Sequence, residues 1–119
     1  LEPSGVTEQA LQQRILLALG RGAARLWRNN TGCLPDANGR MVRFGLCKGS
    51  ADLIGYTTVE VTPDMVGQRI AVFTAVEVKT PTGRPTPEQA AFLDHVRQAG
   101  GRAGIARSID DAMRITAGL

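Results

Sequence analysis

An α/β fold is what this 119-residue sequence predicts, and three features of it carry that expectation. A capped amphipathic stretch opens the chain, a long apolar run at 70–80 reads as a strand, and a second capped helix follows, leading into another strand at 102–107. The order strand, helix, strand from Ile70 to Arg107 calls for a crossover connection and hence a parallel pair. No internal repeat, low-complexity tract or interdomain linker interrupts the chain, so residues 7–119 are expected to form one domain. The chain starts at Leu1 rather than Met, and residues 1–6 are expected to be a disordered or appended N-terminus.

Thr7 is a good N-cap, Glu8 and Gln9 fill a first turn, and Gly20 is a good stop, so 7–19 reads as a helix. Leu11, Ile15, Ala18 and Leu19 give its apolar stripe, with Glu8 on that same inward side. Ala23 to Asn29 reads as a strand with Trp27 as its largest side chain. Thr31 to Gly39 is dense in turn formers and reads as a loop. Strands are expected at Met41–Gly45 and Ala51–Tyr56, then a polar excursion around Pro63, Asp64 and Gly67, then the strand Ile70–Thr80. Three prolines and a glycine make 80–87 a loop. Thr86 caps the next helix with Pro87 at its first position, and Gly100-Gly101 ends it. A strand at Arg102–Arg107 and a helix capped by Ser108 complete the chain.

Composition excludes several classes. Hydrophobic residues make up 43% and charged residues 21%, a globular balance rather than a disordered one. No apolar run approaches the ~20 residues that span a bilayer. Two cysteines, Cys33 and Cys47, exclude a disulfide-stapled miniature fold, and with His95 far away they argue against zinc. The formal charge is +3, but between Arg14 and Lys48 seven basic residues face one acid, Asp36. Twelve of the fourteen basic residues are arginine, whose planar fork suits phosphate oxygens. A solvated basic face explains this pattern as well as a nucleic-acid partner does.

Four polar residues fall where the pattern demands a core. In the strand Ile70–Lys79, Phe73, Ala75, Glu77 and Lys79 share one face by alternation, so Glu77 and Lys79 emerge together at its carboxyl end. Asp52 shares a face with Ile54 and Tyr56. Gln89 precedes Phe92, Leu93 and Val96 at helical spacing, and Glu8 precedes Leu11 and Ile15 likewise. Each has a plain structural explanation: an ion pair at a strand end, an Asp bonded to backbone near Gly49, a capping box from Thr86 to Gln89, and an acid at a helix start. If instead Asp52 and Glu77 converge, their repulsion is relieved by a divalent cation, and oxygen ligands select magnesium or manganese. The Val78 carbonyl would add an oxygen, and Lys79 would stand beside the attacking water. That is machinery for metal-assisted phosphodiester hydrolysis.

This ordered set resembles the PD-(D/E)XK nuclease superfamily, and within it the VRR-NUC (virus-type replication-repair nuclease) family, particularly its small stand-alone phage and bacterial members. The matching features are Glu8, Arg28-Asn-Asn-Thr-Gly32, Gly49-Ser-Ala-Asp-Leu53, Val76-Glu-Val-Lys79, and Gly83-Arg84 followed by Gln89. Ala51 stands where such motifs usually place proline before the acid, which bears on backbone rigidity rather than chemistry. The resemblance implies a restriction-endonuclease-like αβββαβ core, a mixed sheet flanked by helices with a short C-terminal helix. It implies that Glu8, Asp52 and Glu77 are metal-site acids, that Lys79 is the catalytic lysine, and that Gln89 supports the site. It also implies a homodimer acting on branched DNA such as Holliday junctions.

The expected protein is thus a magnesium-dependent DNA endonuclease, with manganese able to substitute. Its cation is held by Asp52, Glu77, the Val78 carbonyl and Glu8. Arg28, Arg43, Lys48 and Arg84 are candidate phosphate contacts, and Ser50 is either a further contact or a turn residue. A homodimer would double the basic surface available to duplex. No membrane or small-molecule cofactor is expected, and the setting would be the cytoplasm of a bacterial cell or a phage-infected host. The alternatives are a non-catalytic nucleic-acid-binding module with a structural Glu77–Lys79 ion pair, and a sequence-specific restriction-type nuclease.

Overall fold

The computed structural model describes residues 7–119, so the expectation for residues 1–6 lies outside the described part. The chain is mixed α/β and divides into two compact units, Leu1–Val59 and Glu60–Leu119.

In the first unit, helix α1 (Glu8–Leu19) starts at Thr7, whose hydroxyl accepts from the Ala10 N–H, and ends at Gly20. The helix packs on strand β1 (Ala24–Arg28). Its covered side is Gln12, Ile15 and Leu16, while Ala18 and Leu19 are exposed. Strand β1 pairs antiparallel with β4 (Leu53–Thr57), with Trp27 opposite Ile54 and Leu26 opposite Gly55. Gly55 is required by contact rather than by dihedral angle. A Cβ there would stand 1.7 Å from the Arg25 carbonyl oxygen. Trp27 meets Tyr56 with ring centroids 5.9 Å apart and planes tilted by 52°.

The expected loop at Thr31–Gly39 is instead half strand. Strand β2 (Gly32–Pro35) forms an antiparallel hairpin with β3 (Met41–Phe44). The turn formers act only at the tip. The Asp36 carboxylate accepts from the Asn38 and Arg40 N–H groups at 2.8 and 2.9 Å, and Gly39 takes φ +81°, the left-handed residue of a three-residue hairpin loop. Pro35 is tolerated because the neighbouring Asp36–Arg40 pair is the hydrogen-bonded one, so by alternation the donor that proline lacks would point away from β3.

In the second unit, a 3-10 turn at Pro63–Met65 precedes strand β5 (Thr74–Val78), which pairs parallel with β6 (Arg102–Ala106). The strand expected over 70–80 is therefore shorter. Its partner offers only five residues after the Gly100-Gly101 turn, and Arg102 donates to the Phe73 carbonyl at 2.8 Å, so the ladder cannot extend back to Ile70. Helix α2 (Pro87–Gln98) connects the two strands and buries Leu93 and Val96, which with Ala106 form the core. Helix α3 (Ile109–Thr116), capped by Ser108, lies on the other side of β6, where Ile115 sits over Gly104. Apolar contact is thus concentrated on β6. Val76 and Val78 of β5 stay exposed, although the run that contains them is apolar.

The eight expected helices and strands are all present with β2 added, consistent with a restriction-endonuclease-like core. Their hydrogen-bonded ladders are β1–β4, β2–β3 and β5–β6. Among the described residues no helix is long and apolar enough to cross a membrane.

Candidate active site

The second unit carries Glu77, Val78, Lys79, Arg84 and Gln89. Alternation along β5 sends Ala75, Glu77 and Lys79 to the side that α2 covers, and all three are half-buried. Glu77 and Gln89 line one cavity of 340 Å³ together with Ala75, Val76, Glu88, Phe92 and Leu93. The fold thus brings Glu77 and Gln89 to one cavity. Among the described residues Glu77 and Lys79 make no ion pair with each other. A strand-end ion pair does not account for them.

Gln89 has two attachments to Thr86. The Thr86 N–H donates to Gln89 Oε1 at 2.9 Å, and the Gln89 N–H donates to Thr86 Oγ1 at 3.1 Å. This is the capping box read from the sequence. It consumes the carbonyl oxygen of the Gln89 amide and leaves the two Nε2 hydrogens outside the cap.

Just beyond the strand, the Lys79 N–H donates to the Ala106 carbonyl at 3.0 Å, carrying the β5–β6 pairing one step past Val78. The proline-rich loop that follows is held by a residue sequence reading missed. Arg107 Nη1 donates to the carbonyls of Thr80 and Gly83, each at 2.6 Å. A signal was available, because a loop with prolines at 81, 85 and 87 is poor in N–H donors and leaves carbonyls for a cation to satisfy. Arg84, at the edge of this loop, is exposed.

The first unit carries Glu8, Arg28, Arg43, Lys48, Ser50 and Asp52. Two expectations are corrected here. Glu8 is exposed in the first turn of α1 rather than inward, because the covered side of the helix begins one turn later at Gln12. Asp52 is exposed and lies one residue before β4, so it precedes an apolar strand instead of interrupting one. Its carbonyl accepts from the Asn29 N–H at 2.8 Å, extending the Arg28–Leu53 register by one pair. The burial argument for a special role therefore holds for Glu77, which is half-buried, and not for Asp52.

Among the basic candidates, Arg28 is engaged with α1, donating to Gln12 Oε1 at 3.0 Å and to Gln13 Oε1 at 3.1 Å. Arg43 and Lys48 line a cavity of 440 Å³ with Thr31, Gly32, Phe44 and the turn Gly45–Gly49. Ser50 takes the turn role, its hydroxyl donating to the Cys47 carbonyl at 2.6 Å. Cys33 and Cys47 are both free thiols. Asn29, which the sequence places in the Arg28–Gly32 motif without giving it a role, ties this turn together with three side-chain hydrogen bonds.

The donor set at these positions is entirely oxygen: three carboxylates and a backbone carbonyl. Such a set fits a hard divalent cation and does not fit zinc. Among the described residues no group of three or more His, Cys, Asp or Glu gathers to hold a metal ion.

The comparison with known families is specific. The VRR-NUC domain model matches residues 6–110. The chain belongs to the VRR-NUC family, which gives it a nuclease-type function with DNA as the partner. No curated protein and no solved structure matches the chain.

Proposed function

We propose that this protein is a magnesium-dependent DNA endonuclease selective for branched DNA, acting as a homodimer. The observation that carries the reading is the family match over 6–110, a span that contains every candidate from Glu8 to Gln89. Two features of the second unit support it. Glu77 is half-buried on a cavity shared with Gln89, and Lys79 follows on the same strand face without neutralising Glu77.

Asp52, Glu77, the Val78 carbonyl and Glu8 would supply the oxygens for the cation. When bound, magnesium or manganese supplies Lewis-acid polarisation of the scissile phosphate and charge neutralisation. Lys79 orients the attacking water with its ammonium and lowers the cost of removing its proton. The Nε2 group of Gln89, not needed by the cap, donates to a phosphate oxygen or holds the water in line. Arg43, Lys48 and Arg84 grip the backbone phosphates, a term that weakens as salt rises. Arg28 joins them only by giving up its bonds to Gln12 and Gln13. The homodimer gives two copies of this surface related by two-fold symmetry, suited to a four-way junction.

The test is cleavage of a labelled four-way junction and a matched linear duplex with magnesium, manganese or EDTA. Junction cleavage with either cation, abolished by EDTA and by Lys79→Ala while binding persists, supports the reading. Binding without cleavage favours the non-catalytic module. Sequence-dependent cutting of the duplex with no branch preference favours the restriction-type enzyme.

A further inference from the structure

Asn29 stands directly after β1, half-buried, with every hydrogen-bonding function of its side chain in use. Its Oδ1 accepts from the Leu46 N–H at 2.9 Å, and its Nδ2 donates to Ser50 Oγ at 2.7 Å and to the Ala51 carbonyl at 2.9 Å. Its own N–H donates to the Asp52 carbonyl at 2.8 Å. One residue therefore fastens both ends of the segment 46–52, which reverses through Gly45 and Gly49 at φ +86° and +83°. Ser50 Oγ closes the network, accepting from the Cys47 N–H at 3.3 Å and donating to the Cys47 carbonyl.

The chemistry demands a short carboxamide. Aspartate lacks both donors, leucine lacks everything, and glutamine adds a methylene to a side chain already spanning three partners. Gly45, Gly49 and Ser50 shape the reversal itself, and Asn29 adds the ties to both of its ends.

We infer that Asn29 is a positioning residue for the Asp52 carboxylate, fixing the backbone from which that acid projects. Asp52 is exposed and, among the described residues, no hydrogen bond or ion pair holds its side chain, so its direction is set by the main chain at 51–52. Asn29 bonds to both of those residues. The inference rests on the proposed role of Asp52 in holding a divalent cation.

The test compares the wild-type chain with Asn29→Ala and Asn29→Asp, with Asp52→Asn as a reference and Asn38→Ala, an exposed side chain at the hairpin tip, as a control. Asn29→Asp keeps the size and the oxygen that receives Leu46, and so preserves folding if Asn29→Ala does not. The readouts are manganese affinity of the free protein by electron paramagnetic resonance, and kcat and KM on the junction in single-turnover and steady-state assays. Loss of an orienting partner is expected to weaken manganese binding and lower kcat about 10-fold to 100-fold, with KM for DNA little changed. The control stays at wild-type values. Asn29→Asp with wild-type manganese affinity and kcat overturns the inference while leaving the nuclease reading intact. A rise in KM alone overturns it too, by assigning the turn to DNA grip. A wild type that neither binds manganese nor cuts DNA overturns the nuclease reading and this inference together.

Discussion

Thr86 and Gln89 exchange two hydrogen bonds across the start of α2, at 2.9 and 3.1 Å, while Gln89 also lines the cavity of Glu77. One residue thus serves a helix cap and a candidate catalytic pocket, and the two duties separate by mutation. Thr86→Ala removes the cap and spares the amide, so it should lower stability by about 1 kcal/mol and leave cleavage unchanged. Gln89→Ala should cost similar stability and lower kcat as well. Thermal melts paired with cleavage rates measure both. Equal activity loss in the two variants would assign Gln89 to the cap alone.

Lys79 and Glu77 should be indispensable to cleavage and dispensable to folding. Lys79→Ala should lower the single-turnover rate by roughly 10²-fold to 10³-fold, the scale of removing one charge-stabilising donor. Glu77→Gln keeps shape and removes the charge, and should abolish cleavage at any magnesium concentration. Junction binding in a gel-shift assay should persist in both. Wild-type rates in either variant would remove that residue from the chemistry.

Arg107 should govern the order of the 80–83 turn. Arg107→Ala strips two carbonyls of their shared donor, and its exposure keeps the cost to about 1 kcal/mol. Faster amide exchange at Gly83, whose N–H donates to both the carbonyl and the hydroxyl of Thr80, is the local readout. Unchanged exchange would show that the turn holds itself.

Gly55 should tolerate no side chain. Gly55→Ala forces a methyl against the Arg25 carbonyl, so the β1–β4 pair must separate, at a cost above about 3 kcal/mol. Calorimetry should show a much lower midpoint or no folded transition.

The sequence was informative wherever local chemistry decides the structure. Thr7, Thr86 and Ser108 are caps where expected, Gly20 stops α1, and the parallel β5–β6 pair follows from chain order. It misled where the outcome depends on a partner. Ile70 to Phe73 have strand-forming side chains, but β6 is too short to pair with them. Cys33 and Leu34 are too few to show alternation between Gly32 and Pro35, so β2 was hidden among turn formers. In the candidate site, Glu77, Lys79 and Gln89 were legible because each broke an apolar pattern. Asn29 and Arg107 broke none. Polar residues at strand ends look ordinary in a sequence; the donor-poor 80–87 loop signals the need for a cation, and the carbonyls reached show that Arg107 fills it.

The hairpin tip has a further consequence, for the order of events as the chain folds. All four hydrogen bonds around Asp36 join residues two to four positions apart. Such an arm needs no distant segment to nucleate, and hairpins of this kind close in about 1–10 μs. The β5–β6 ladder must wait until the whole of α2 has crossed over, so β2–β3 is poised to be an early seed of native structure.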